Sequence, residues 1–86
     1  MLHELKIEPE CIDDIRYYGK GFDIRKDDIP YGKGDYLWLR GWSEGGYTEE
    51  ELLVEVKYIY RGNLCKDGYC IMAIEKLDWW MVRHDD

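Results

Sequence analysis

The stretch Lys20-Gly21-Phe22-Asp23-Ile24-Arg25-Lys26 decides the fold class, because the hydrophobic period changes there from that of a helix to that of a strand. Upstream, Ile12 and Ile15 stand three apart and Cys11 and Tyr18 extend the same stripe, which predicts an amphipathic helix over residues 9–18. Pro9 suits the first turn of that helix, Glu8 and Glu10 lie near the positive end of its dipole, and Gly19 ends it. From Gly21 onward the alternation is two-fold. Phe22 and Ile24 are expected to face the core, with Asp23 and Arg25 on the opposite side.

Outward from there the chain reads as strands. His3-Glu4-Leu5-Lys6-Ile7 alternates, with Leu5 and Ile7 on one face. Residues 27–35 form a loop rich in Asp, Gly and Pro. Tyr36–Trp42 sets Leu37 and Leu39 against Tyr36, Trp38, Arg40 and Trp42, and Glu44-Gly45-Gly46 turns the chain. Leu52–Arg61 carries Val54, Val56, Tyr58 and Tyr60 on one side; Gly62-Asn63 and Asp67-Gly68 mark a loop. Tyr69–Leu77 is apolar on both faces around Ile71-Met72-Ala73-Ile74, which predicts an interior strand. Strand, helix, then four strands argue for an α+β fold, a small mixed β-barrel with one short helix after the first strand.

At 86 residues the chain has room for one domain, spanning 1–86. So short a chain needs a dense core, and 45% apolar residues with eight Tyr and four Trp supply it. The start of the chain lacks the basic and apolar regions of a secretory leader, and no run approaches a membrane span, so a cytoplasmic protein without membrane contact is expected. Three cysteines without framework spacing read as reduced thiols.

The net charge of −7 argues against a general nucleic-acid coat. The charge is unevenly spread. Residues 16–40 carry six Lys or Arg against four Asp, whereas residues 1–15 and 41–86 are acidic. An anionic ligand is therefore expected in the middle third.

His3 to Ile7, the Lys20–Asp27 stretch, Gly34-Asp35, Val54-Glu55-Val56-Lys57-Tyr58-Ile59 and Gly68-Tyr69 together resemble a family of small phage and bacterial proteins of unknown function grouped with ASCH domains. The resemblance covers about residues 2–77 and leaves a Trp-rich extension, 78–86. It implies a PUA-like, partly open barrel whose cleft beside the helix holds RNA or a modified nucleoside. ASCH domains carry a Gly-x-Lys-x-x-Glu-x-Arg motif, which Lys20, Asp23 and Arg25 match, while Tyr18 stands where the Gly would be. Some ASCH proteins are amidohydrolases of acetylcytidine using a Lys, a Thr and a Glu; here Asp23 occupies the place of that Thr.

The residues themselves support a ligand site. Asp23 and Arg25 share one side of a strand, about 7 Å apart, and Lys20 can lean over them from the turn. Arg presents a planar fork to phosphates or base edges, and a carboxylate accepts from an amino group. The alternative for this trio is an ion pair that orients a strand. His3 and Lys6 are expected at the same cleft, although a lone His reads first as structural. Tyr36, Trp38 and Trp42 read first as core, with base stacking beside Arg40 as the alternative.

The spacing of Cys65 and Cys70 does not suit a structural zinc site, so neither metal nor cofactor is expected. Ser43 and Thr48 are the sole hydroxyl residues of their kinds, against a hydroxyl nucleophile. The leading expectation is a module binding RNA or a modified nucleotide. One alternative is a small nucleoside amidohydrolase or ribonuclease with Lys20 as the catalytic base. Another is an acidic phage-type protein that binds and inhibits a host or defence protein. Trp79-Trp80 raises a homodimer beside a monomer.

Overall fold

Alternation along the first six residues produces β1 (Leu2–Ile7), in which His3, Leu5 and Ile7 are buried and their neighbours exposed. The computed structural model describes residues 1–77. Pro9 occupies the first turn of α1 (Pro9–Tyr17), where its missing N–H costs nothing, and Ile12 and Ile15 form the buried side. The helix closes with Tyr18 and Lys20 both donating their backbone N–H to the Asp14 carbonyl, and Gly19 follows it at φ 76°. Tyr18, expected on the helix's apolar stripe, is instead 79% exposed.

Four strands follow: β2 (Phe22–Lys26), β3 (Tyr36–Ser43), β4 (Gly46–Tyr60) and β5 (Tyr69–Lys76). They form one mixed sheet with β1, in the order β1-β3-β4-β5-β2. β1 pairs with β3 in parallel, and the other three pairings are antiparallel. The turn Glu44-Gly45, both at positive φ, lets β3 double back directly into β4.

Two register shifts, at Arg40/Trp42 and at Val56/Tyr58, bend this sheet. Gly41 fills the first: a side chain there would collide with Thr48 Oγ1 and crowd the Glu50 carbonyl. The second explains why the expected alternation of Tyr58 and Tyr60 with the valines fails. Past the irregularity Ile59 packs against the core and Tyr58 is 60% exposed.

The sheet curls far enough for a side chain on its last strand to reach its first. Arg25 on β2 donates from Nη1 to the Lys6 carbonyl on β1 at 2.9 Å, although these strands stand at opposite ends of the sheet order. The result is a barrel-like sheet open at one seam, with α1 packed over β3 and β4. Leu37, Leu39, Val54, Val56, Cys70, Met72 and Ile12 are fully buried inside it. The α+β architecture of five strands and one helix after the first strand is as the sequence predicts.

Two sidedness expectations are corrected. On β2 it is Asp23 that is buried, at 5% exposure, while Phe22 and Ile24 lie outside at 45% and 54%. The reason is the seam: Arg25 reaches across it to β1, and Asp23 is drawn inward as the anion that pairs with Arg25. On β3, Tyr36, Trp38 and Trp42 belong to the outer face and are not core. The Trp79-Trp80 expectation lies outside the described residues.

Candidate functional site

A sheet that closes incompletely leaves backbone groups along its seam without strand partners, and buried ones must be satisfied another way. Arg25 donates to the Lys6 carbonyl at the exposed rim of the seam, and its partly buried guanidinium then needs an anion beside it. Asp23, two residues back on the same face, provides one: Nε of Arg25 donates to Asp23 Oδ2 at 2.7 Å. The side chains retain 20% and 7% exposure respectively. Charge-assisted bonds of this kind fix both rotamers.

Above this pair opens a cleft of about 320 Å3, walled by β1, the start of α1 and β2, and lined by Lys6, Cys11, Lys20, Phe22, Asp23 and Arg25 among others. That volume lies at the small end of the range for ligand sites. Lys20, half-buried at the turn into β2, holds its ammonium 5.3 Å from the Phe22 ring centroid. Lys6 contributes backbone to the cleft and sends its ammonium over the outer face, 3.8 Å from the Trp42 ring centroid. Of the five residues expected at a ligand site, Lys6, Lys20, Asp23 and Arg25 meet here.

His3 does not line this cleft. It is buried at the start of β1, where Nε2 lies 2.8 Å from Asp35 Oδ2 and its ring meets Tyr31 edge-on at 5.1 Å. The same Asp35 oxygen accepts the Gly32 N–H at 2.9 Å. The His3 hydrogen bond, the Met1 amino group and the Gly32 N–H together hold the Asp35 carboxyl at a pKa of about 2. These contacts make His3 a strut between β1 and the 27–35 loop.

Tyr31, unremarked in the sequence reading beyond its loop, is a core residue at 6% exposure. Burial raises its hydroxyl pKa, the Arg25 charge pulls it partly back, and Cys70, Asp28 and Asp23 push it up further. The nearest signal in the sequence is Pro30-Tyr31 itself, a ring placed next to a turn.

A wider groove, about 1050 Å3, runs between the end of α1 and the sheet, past Leu2, Tyr17, Trp38, Leu53 and Leu77. Its cations are consumed by backbone. Arg16 donates to the Glu51 carbonyl and Lys76 to the Arg16 carbonyl, each at 2.6 Å. The smaller cleft is lined by a carboxylate–guanidinium pair, Asp23 and Arg25, together with Lys20.

Among the described residues no group of three His, Cys, Asp or Glu side chains is arranged to hold a metal ion, and no helix is long and apolar enough to cross a membrane. Cys11, Cys65 and Cys70 are free thiols.

Fold and cleft together define a class: a small mixed barrel-like sheet carrying a charged cleft at its open seam. The model of the family described as "Domain of unknown function (DUF3850)" matches residues 2–74, and the chain belongs to that family. A search of curated proteins finds no match.

Proposed function

We propose that the chain is a nucleotide-recognition module of the PUA-like, ASCH-related type, taking RNA or a modified nucleoside in the seam cleft. The observation that carries this reading is the Asp23–Arg25 pair, held inside the seam at 2.7 Å with Lys20 at its lip. Arg25 spends Nε and Nη1 on the protein, and a guanidinium has further N–H donors for a phosphate or base edge. Asp23 Oδ1 is the acceptor that an exocyclic amino group requires, and the Phe22 ring offers a stacking surface beside the Lys20 charge.

Binding rather than hydrolysis follows from the state of Asp23. Its carboxylate is committed to Arg25 and stands where the amidohydrolases of the resembled class carry a Thr. The test is a panel of short RNAs and modified nucleosides, acetylated ones included, scored by thermal shift and by turnover. The expected result is a shift that weakens as salt rises and that Lys20→Ala reduces about tenfold in affinity. Turnover abolished by Lys20→Ala would replace binding with catalysis; no shift with any probe would reject the reading.

A further inference from the structure

The outer face of β1, β3 and the β3–β4 hairpin carries an aromatic strip that adjoins the cleft. Trp42 and Tyr47 are cross-strand partners, edge to face at 4.9 Å. The Lys6 ammonium lies 3.8 Å over Trp42, and the Arg40 guanidinium lies 3.9 Å over Tyr47 and 4.7 Å over Trp38. Tyr47 is 47% exposed. Such layers of ring and cation on a sheet surface present π-faces and guanidinium planes on which bases stack without sequence preference.

The charges of this strip are already partly paired. Glu4 accepts from Arg40 at 2.7 Å, and Glu51 accepts from the Trp38 indole at 3.0 Å. Lys6 differs: among the described residues its ammonium has no carboxylate within ion-pair distance, and the same holds for Lys20 on the far side of the cleft. Two ammonium groups, each over a ring and each free of a carboxylate, thus flank the cleft mouth. Lys6 belongs to both surfaces, through its backbone in the cleft and its side chain on the strip.

We infer that the ligand is a single-stranded nucleic-acid chain rather than a free nucleoside, with the nucleotide next to the cleft lying over Lys6, Trp42 and Tyr47. The inference rests on the nucleotide reading of the cleft and specifies its substrate class. The phosphate joining the two nucleotides would pass Lys6. Exposed Glu49 and Glu51 follow Tyr47 along β4 toward Arg40 and Trp38, so phosphate is repelled from that end of the strip and favoured at the Trp42–Tyr47 end.

The experiment compares the affinities of the four ribonucleoside 5′-monophosphates and of a mixed-sequence RNA hexamer. The wild-type protein, Trp42→Leu and Tyr47→Leu are measured at fixed salt. The expected result is a hexamer bound at least about tenfold tighter than any monophosphate, the effect of one stacked base. Each variant should erase most of that advantage and leave monophosphate affinity unchanged. Tyr47 is half exposed, so its variant remains informative if Trp42→Leu fails to fold. A hexamer no tighter than a monophosphate, or an advantage that survives Tyr47→Leu, overturns the inference and leaves the cleft reading standing. Binding of neither probe overturns both.

Discussion

The inward face of the sheet has two characters. On the central strands β3, β4 and β5, Leu37, Leu39, Val54, Val56 and Met72 are apolar and fully buried. On the flanking strands β1 and β2 the same face mixes apolar Leu5 and Ile7 with His3, Asp23 and the less deeply buried Arg25. A central strand has both edges paired, so its inner side chains have only volume to fill. A strand at the seam has one edge without a partner, and its inner side chains must also satisfy backbone. On β2, position in the sheet overrides local alternation in deciding which residue type points inward, whereas β1 keeps Leu5 and Ile7 inside.

The comparison breaks first at its apolar half. Leu39→Ala removes a fully buried side chain between α1 and the sheet and is expected to cost about 2–5 kcal/mol, read by urea denaturation. Arg25→Met probes the polar half. It strips the Lys6 carbonyl and Asp23 of their donor, which should cost about 1–3 kcal/mol by the same measurement. Full stability in that variant would mean that the seam pair holds nothing together.

The strut at the other end of the inner face gives a pH signature. The Asp35 carboxyl, held at about 2 instead of its ordinary 3.8, stabilises the fold at pH values above the unfolded pKa; that contribution is lost as pH falls from about 4 through about 2. Asp35→Asn should therefore melt below wild type at pH 7, with the gap narrowing as the pH falls toward 2. A gap that persists at pH 2 would separate Asp35's role from its charge. The smallest effect belongs to Ile24→Ser. This side chain is 54% exposed on the outer face of β2, so the change should stay within about 0.5 kcal/mol. A core-sized loss would restore the inward orientation that alternation suggests.

The sequence discloses the order of elements and most of their limits, because those depend on neighbours in the chain: Pro9 starting the helix, Gly19 ending it, Glu44-Gly45 turning β3 into β4. It does not disclose which side of β2 faces in. Phe22 and Ile24 alternating with Asp23 and Arg25 reads as apolar-in, and only the partner edge, contributed by Lys6 nineteen residues away, reverses it. His3 is similar, since its partner Asp35 is 32 residues on. The first part of β4 is hidden for another reason. Glu49, Glu50 and Glu51 disfavour a strand locally, and cross-strand pairing with β3 overrides them. Lys20, Asp23 and Arg25 were legible as a group because two-residue spacing on a strand and an adjoining turn suffice to bring them together.

The central claim is that the seam cleft is where the ligand binds. Titrating the 15N-labelled protein with the RNA hexamer and following backbone amide shifts tests it residue by residue. The account predicts that the largest shifts fall in two segments distant in sequence, residues 6–11 and 20–25, and that they weaken with salt. Shifts confined to the wide groove around Tyr17, Leu53 and Lys76, or absent altogether, would contradict it.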